Sequence, residues 1–239
     1  MTNLILIICE ALCAFGIIVL LSKLFGKYGI ICWVAIATIL ANILTAKTIR
    51  ICGIDVTMGT TLFASTFLAT DILSEKCGKK DARKAVYMGL LGSICLLIFT
   101  QFGIHYIPSE FDYAHDSMVT IFTLSTRITI SSIVMYVVAN LVDIYLYGII
   151  KKKTDGKYMW LRNNVATITC NCLENFLFMF GAFLFVYDVK TILIMAVSTS
   201  VIEALLGVAD TPFLYLATKV FKEEAVNGNN QDRNITEHG

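Results

Sequence analysis

The chain has 239 residues, of which 57% are hydrophobic and 15% are charged, and its formal net charge is +1. A soluble domain averages roughly 45–50% apolar and about 25% charged residues, so the composition excludes an ordinary water-soluble domain. No basic run is interleaved with aromatic residues, which argues against a nucleic-acid partner.

Seven apolar blocks follow one another along the chain, each long enough for a membrane-spanning helix. A stretch of about 20 residues matches a hydrocarbon core ~30 Å thick at ~1.5 Å rise per residue. Transmembrane β-strands would instead be alternating segments of roughly 10 residues. The predicted fold is all-α, a polytopic integral membrane protein with helices over about 3–22, 28–46, 56–74, 85–107, 119–150, 163–187 and 190–221.

The loops between the predicted helices alternate in their lysine and arginine content. Loops after the first, third, fifth and seventh helices are basic, whereas the loop after the fourth holds Glu110, Asp112 and Asp116 without a basic residue. Lys47 and Arg50, after the second helix, are a mild exception. Because basic loops stay in the cytoplasm, the N-terminus is predicted outside and the C-terminus inside, which requires an odd number of spans.

We expect a single transmembrane domain, residues 1–222, in the cell (inner) membrane. Residues 223–239 are polar with little apolar content, so they are predicted to be a disordered cytoplasmic tail. Most of the eight cysteines lie inside apolar blocks without a Cys-x-x-Cys pair, which favours small packing residues over metal ligands or disulfides. No cofactor is expected.

Ionisable residues inside the predicted helices carry the functional signal. Each costs roughly 2.5–3.5 kcal/mol on insertion scales, so it needs a partner, a cavity or a ligand. These residues are Glu10, Asp71, Arg127, Asp143, Glu174, Glu203 and Asp210. Glu10 is interpreted as structural, Arg127 as either a helix-locking ion pair or a ligand contact, and Asp143, like Glu75, as a snorkelling or topology-anchoring residue near the inner interface.

Three predicted helices carry polar stripes at spacings of three or four residues, which place the members of each stripe on one helix face. The stripes are Thr60, Ala64, Phe67, Asp71 and Glu75; Asn164, Thr167, Asn171, Glu174, Asn175 and Phe178; and Ser200, Glu203, Gly207 and Asp210. Together they predict a shared polar interior. Asn171 and Glu174 are strong hydrogen-bonding groups one turn apart at mid-depth, which favours ligand binding over helix packing.

Motifs for catalysis or nucleotide hydrolysis are absent from the sequence. There is no G-x-x-x-x-G-K-[ST], no H-E-x-x-H and no G-x-S-x-G. The chain is therefore predicted to be a transporter rather than an enzyme, and it cannot power itself with ATP. A non-transporting membrane scaffold is the alternative, although a scaffold has little use for so many carboxylates at membrane depth.

Several short runs resemble one known family. They are Ala41-Asn42-Ile43, Val56-Thr57-Met58-Gly59, Phe67-Leu68-Ala69-Thr70-Asp71 with Gly78 and Ala82-Arg83, then Arg127, Asp143, Asn171-x-x-Glu174 and Pro212. Over about residues 35–221 the chain is similar to the YhhQ family of queuosine precursor transporters, also called the vitamin uptake transporter family. It departs in its extra N-terminal helix before a six-helix core, in Glu174 where some members carry Asp, and in Glu203 where some carry Lys.

The resemblance implies import of a 7-deazaguanine base: 7-cyano-7-deazaguanine, 7-aminomethyl-7-deazaguanine or queuine. Glu174 and Asn171 would then read the edge of the base, Phe67 or Phe178 would stack on its ring, and Asp71 would be a second polar contact or a proton site. The candidate substrate-binding residues are Asn42, Phe67, Asp71, Arg127, Asn171, Glu174, Asn175, Phe178, Glu203 and Asp210.

The resemblance leaves the energy source and the oligomeric state open. Secondary transport is one hypothesis, with a carboxylate such as Asp71 cycling its proton. A substrate-capturing subunit that borrows ATPase partners is another, and facilitated diffusion followed by metabolic trapping is a third. A homodimer is the expected assembly if the chain does not act alone.

Overall fold

The computed structural model describes residues 2–45, 47–51, 53–122, 126–184 and 188–222. Within these ranges the side chains at 48, 54, 55, 57, 126–132, 136, 182 and 183 are not described. The predicted tail, 223–239, lies outside the described residues.

The described chain is almost entirely helical. Its helices are α1 (Thr2–Leu44), α2 (Thr60–Lys76), α3 (Lys79–His105), α4 (His115–Phe122), α5 (Thr126–Lys153), α6 (Met159–Phe183), α7 (Val189–Ala209) and α8 (Thr211–Val220). An antiparallel hairpin of β1 (Thr48–Ile51) and β2 (Ile54–Thr57) joins α1 to α2. This hairpin was not predicted, because strands of four residues are too short to show an alternating pattern, and the third predicted helix began at 56 instead of 60.

Within the described residues, four helical stretches are long and apolar enough to cross a membrane: Thr2–Leu44, Lys79–His105, Ile133–Lys153 and Val189–Val220. The predicted class, a multi-pass helical membrane protein, is therefore confirmed. The helices α2 and α6 are not among the four: α2 is 17 residues long, and α6 carries the densest polar stripe of the sequence.

The longest helix, α1, is a pair of antiparallel arms. Gly26 has φ 57° and ψ −134°, which breaks the helical path between residues 2–25 and 27–44. Unbroken, its 43 residues would extend ~64 Å at ~1.5 Å per residue. Instead, the Asn3 side chain donates a hydrogen bond of 3.0 Å to the carbonyl of Arg50, just beyond the other end of α1. The arms match the predicted helices 3–22 and 28–46.

We expect Gly26→Ala to lower the thermal stability of the purified protein, because L-residues rarely adopt positive φ and the new Cβ would collide with the backbone carbonyl of Lys222. The expected loss is about 2 kcal/mol or more. Gly16→Ala on the same helix is the matched control, since a Cβ there meets nothing within 4 Å. Equal melting temperatures for the two variants would contradict this account of the turn.

The centre of the molecule is α2. Every residue from Thr60 to Ser74 except Phe63 is buried, and the helix packs against α1, α3, α5, α6, α7 and α8. The Trp33 indole donates to the Ser65 hydroxyl at 3.1 Å, which fixes α2 to the second arm of α1. A helix enclosed in this way can carry polar residues that lipid would reject.

One predicted helix is divided in the structure, and another is described in two parts. The predicted helix 190–221 is α7 followed by α8, with Asp210 between them and a proline in the first turn of α8. The predicted helix 119–150 starts earlier, as α4, and continues as α5; residues 123–125 are outside the described part. A proline near a helix start marks such a break, although the apolar pattern runs through it.

The basic segments gather at one end of the molecule. The backbone N–H of Lys222 donates to the carbonyl of Ser22 at 2.9 Å, next to the Gly26 turn. Lys151 at the end of α5 pairs with Glu75 at the end of α2 at 2.9 Å. Asn3 and the β-hairpin lie together at the opposite end of α1. The site described next lies between these two ends.

Candidate functional site

Two helices, α2 and α5, present polar residues to each other in a repeating register. Phe67 packs with Ala139, the Asp71 and Asp143 carboxyl groups lie within hydrogen-bonding reach of each other, and the Tyr147 hydroxyl donates to Glu75 at 3.2 Å. Each step advances four residues on both helices, so the helices run parallel with facing stripes.

The Asp71–Asp143 contact is completely buried. Both side chains have 0% exposure, and no described N–H or hydroxyl group donates to either oxygen of Asp71. Thr167 of α6 faces Asp143. Two carboxyl groups this close cannot both be ionised at reasonable cost, so the pair holds at least one proton.

A third carboxylate, Asp210, lies beside the pair at the junction of α7 and α8. The Asn163 amide donates to it at 2.9 Å, and the neighbouring Asn164 amide donates to the Thr211 hydroxyl at 2.8 Å. These bonds fix the interruption between α7 and α8 to the start of α6. The broken helix therefore carries its acidic residue into the interior rather than towards lipid.

At the basic end an ion-pair network covers the carboxyl pair. Arg162 is 1% exposed, and its guanidinium lies 2.6 Å from the Glu75 carboxylate. The Lys151 ammonium forms a second ion pair with the same carboxylate at 2.9 Å. The guanidinium stacks over the Tyr147 ring at 5.3 Å and donates to the backbone carbonyls of Gly156 and Lys157. Arg162 thereby joins α2, α5 and the loop before α6.

On the other side of the carboxyl pair, α6 and α7 form a second polar cluster. The Asn175 amide donates to Glu203 at 2.6 Å, and Glu174 lies close enough to Glu203 to repel it. Asn171 is 1% exposed, and neither its amide nitrogen nor its oxygen has a partner among the described residues. A buried amide without partners loses about 1–3 kcal/mol per group, so Asn171 has a donor and an acceptor that the described residues leave unused.

Acidic side chains outnumber basic ones in the described part of this interior. Asp71, Asp143, Glu174, Glu203 and Asp210 all face it, while the buried Arg162 is already paired with Glu75. Such an interior favours a ligand rich in N–H groups, a cationic ligand or bound protons.

The structure gathers six of the ten predicted site residues: Asp71, Asn171, Glu174, Asn175, Glu203 and Asp210. Phe67 lies one turn from Asp71 and packs on Cys170, whereas Phe178 packs near Met179. Asn42 is elsewhere, donating to Ser93 of α3 at 2.9 Å and to the carbonyl of Thr38. The Arg127 side chain lies outside the described residues.

Two sequence interpretations were wrong in physical terms. Asp143 does not snorkel, because it is fully buried against Asp71. Arg162 lies in the segment after the fifth predicted helix, which was predicted to be a basic cytoplasmic loop, yet it is buried and paired with Glu75. Nothing in the pattern distinguished Arg162 from the lysines near it.

A polar interior enclosed by helices with apolar outer faces fits a membrane transporter. The chain belongs to the vitamin uptake transporter family: the family model described as "Putative vitamin uptake transporter" matches residues 57–217. It is also 30% identical over 215 residues to the Bacillus subtilis (strain 168) protein named "Probable queuosine precursor transporter", covering 90% of this chain and 94% of that protein. No solved structure matches it. The resemblance seen in the sequence is thus confirmed.

Proposed function

We propose that the protein imports a queuosine precursor, a 7-deazaguanine base, across the cell membrane by secondary transport. The observation that carries the proposal is the pair Asn171 and Glu174, a buried amide without partners and a carboxylate one turn away. Membership of the family and the similarity to the Bacillus subtilis protein support the same substrate class.

The pair suits the edge of a guanine-like base. A carboxylate accepts at once from the ring N–H and the exocyclic amine, and an asparagine amide can donate to the neighbouring carbonyl. Glu203, near Glu174 and bonded to Asn175, adds a second negative group. This favours 7-aminomethyl-7-deazaguanine and queuine, whose amines are cationic at neutral pH, over 7-cyano-7-deazaguanine.

We propose seven spans with the N-terminus outside. The two arms of α1, then α2, α3, α5, α6 and α7 with α8, make seven crossings, and the basic segments lie together at one end. Basic loops remain cytoplasmic, so that end faces the cytoplasm. A C-terminal reporter active only outside the cytoplasm tests this orientation: its activity would contradict the proposal.

The test of function is a growth experiment in a bacterial strain that makes no queuosine precursor and lacks its own importer. Expression of this chain, with nanomolar precursor in the medium, should restore queuosine in tRNA, measured by nucleoside mass spectrometry. Empty vector is the control. Queuosine that stays at the empty-vector level with all three precursors, despite protein in the membrane, would refute the proposed function.

A further inference from the structure

We propose that Asp71 and Asp143 together form the proton-carrying site that couples transport to the proton gradient, separate from the substrate-binding residues Asn171 and Glu174. This proposal rests on the proposed function, whose energy source it specifies. It assigns a joint role to two side chains that the recognition of a base does not need.

The first support is the geometry of the pair. The two carboxyl groups come from different helices, α2 and α5, and approach each other where neither has any solvent exposure. An O–H···O bond between them needs one proton, and a second proton makes both groups neutral.

The surroundings of the pair allow its charge to change. The ionisable groups that interact with Asp71 from the elements packed against it are Asp143 and Tyr147 of α5, Arg162 and Cys170 of α6, and Asp210 between α7 and α8. Arg162 stabilises one negative charge on the pair, and Asp210 opposes a second. The pair is therefore suited to alternate between one bound proton and two.

The second, independent support is the position of Asn171. On α6 this unpartnered amide is one turn beyond Thr167, the residue that faces Asp143, and it follows Cys170, which packs on Phe67. Residues at i and i+4 share a helix face. A ligand bound by Asn171 therefore lies within about one helical turn, ~5.4 Å along α6, of the proton pair.

The arrangement gives a balanced coupling step. Substrate binds at Asn171 and Glu174, and a proton from the outer solution adds to the singly protonated pair, so that both carboxyl groups are neutral before α2 and α5 move relative to α6. After reorientation the substrate and one proton leave to the cytoplasm, and the empty protein returns with the pair in the shared-proton state. In this conformation the ion pair of Glu75 and Arg162 lies between the two aspartates and the basic end of the molecule. It therefore prevents proton exchange between the aspartates and the cytoplasm.

The experiment uses purified full-length protein in proteoliposomes and whichever precursor restores queuosine in the growth test, radiolabelled. The membrane potential is clamped at zero with valinomycin and equal potassium. An inward proton gradient of one pH unit should drive about tenfold accumulation in the wild type if one proton accompanies each substrate. Asp71→Asn and Asp143→Asn should each lose accumulation but keep counterflow, which exchanges labelled for unlabelled substrate without net proton movement.

Counterflow requires a folded protein that binds substrate. Retained counterflow therefore shows that the Asn variants fold and still bind substrate. Glu110→Gln, an exposed loop carboxylate, is the matched control and should behave as wild type. Accumulation by both Asn variants, accumulation driven by a sodium gradient at equal pH, or loss of counterflow in both Asn variants would overturn the proton role. Wild-type protein with neither accumulation nor counterflow would refute the proposed function, and the proton role with it.

Discussion

Replacing Glu174 with glutamine is expected to raise the substrate dissociation constant by roughly 10- to 150-fold. Charge-assisted hydrogen bonds contribute about 1.5–3 kcal/mol each, and every 1.4 kcal/mol is tenfold in affinity. The change keeps the size of the side chain but replaces one acceptor oxygen by an NH2 group, which opposes the N–H groups of a guanine-like edge. Titration calorimetry of the detergent-purified protein measures the change.

The same titration, combined with thermal unfolding, shows whether Asn171 binds substrate or stabilises helix packing. Asn171→Ala should weaken binding as well, by about tenfold, with little loss of thermal stability, because its amide bonds no described residue. Glu110→Gln is again the control and should bind as wild type. If both site variants bind a 7-deazaguanine with wild-type affinity, this pair does not recognise the base.

Glu75→Gln is expected to destabilise the protein by about 3 kcal/mol. Removing one partner of a buried ion pair leaves the other charge uncompensated, which costs about 3–5 kcal/mol; Glu75 is partly exposed, with 20% of its side chain accessible, so the lower end applies. In this variant the guanidinium of Arg162 would keep its hydrogen bonds to the backbone carbonyls of Gly156 and Lys157, but it would lose the negative charge that pairs with it. The free energy of unfolding in mixed detergent is the quantity to measure.

Lys84→Gln provides the matched control, because its ion pair with Asp81 is on the surface and the Lys84 side chain is 67% exposed. Surface pairs contribute about 0–1 kcal/mol, so the two losses should differ clearly. The double variant Glu75→Gln with Arg162→Met should lose less than the sum of the single losses, since the members of a pair are coupled. Additive losses would show that the two residues act independently.

Much of this fold was predictable because its dominant signal is physical and local. Apolar blocks of about 20 residues gave the helices, and the two arms of α1 appeared as separate helices because Lys23 and Lys27 flank the Gly26 turn. The break at Asp210 was not visible, because the apolar composition continues across it.

The candidate site was predictable only as far as helix periodicity reaches. Spacing placed Asp71 with Glu75 and Asn171 with Glu174 on common faces, and the structure keeps both. Periodicity does not predict which helix faces pack against each other. The register of α2 with α5 and the contact between Asp71 and Asp143 are therefore known only from the structure. Asn42 entered the predicted site through the resemblance; in the structure its amide joins α1 to α3, and its role in binding stays a prediction.

The enclosure of α2 has a consequence for how the protein enters the membrane. Asp71 and Glu75 make insertion of this 17-residue helix into lipid by itself unfavourable, and the side chains that they contact lie on later helices: Asp143 on α5 and Arg162 on α6. During synthesis α2 is made well before either. We therefore expect α2 to enter the lipid only together with helices that are translated after it.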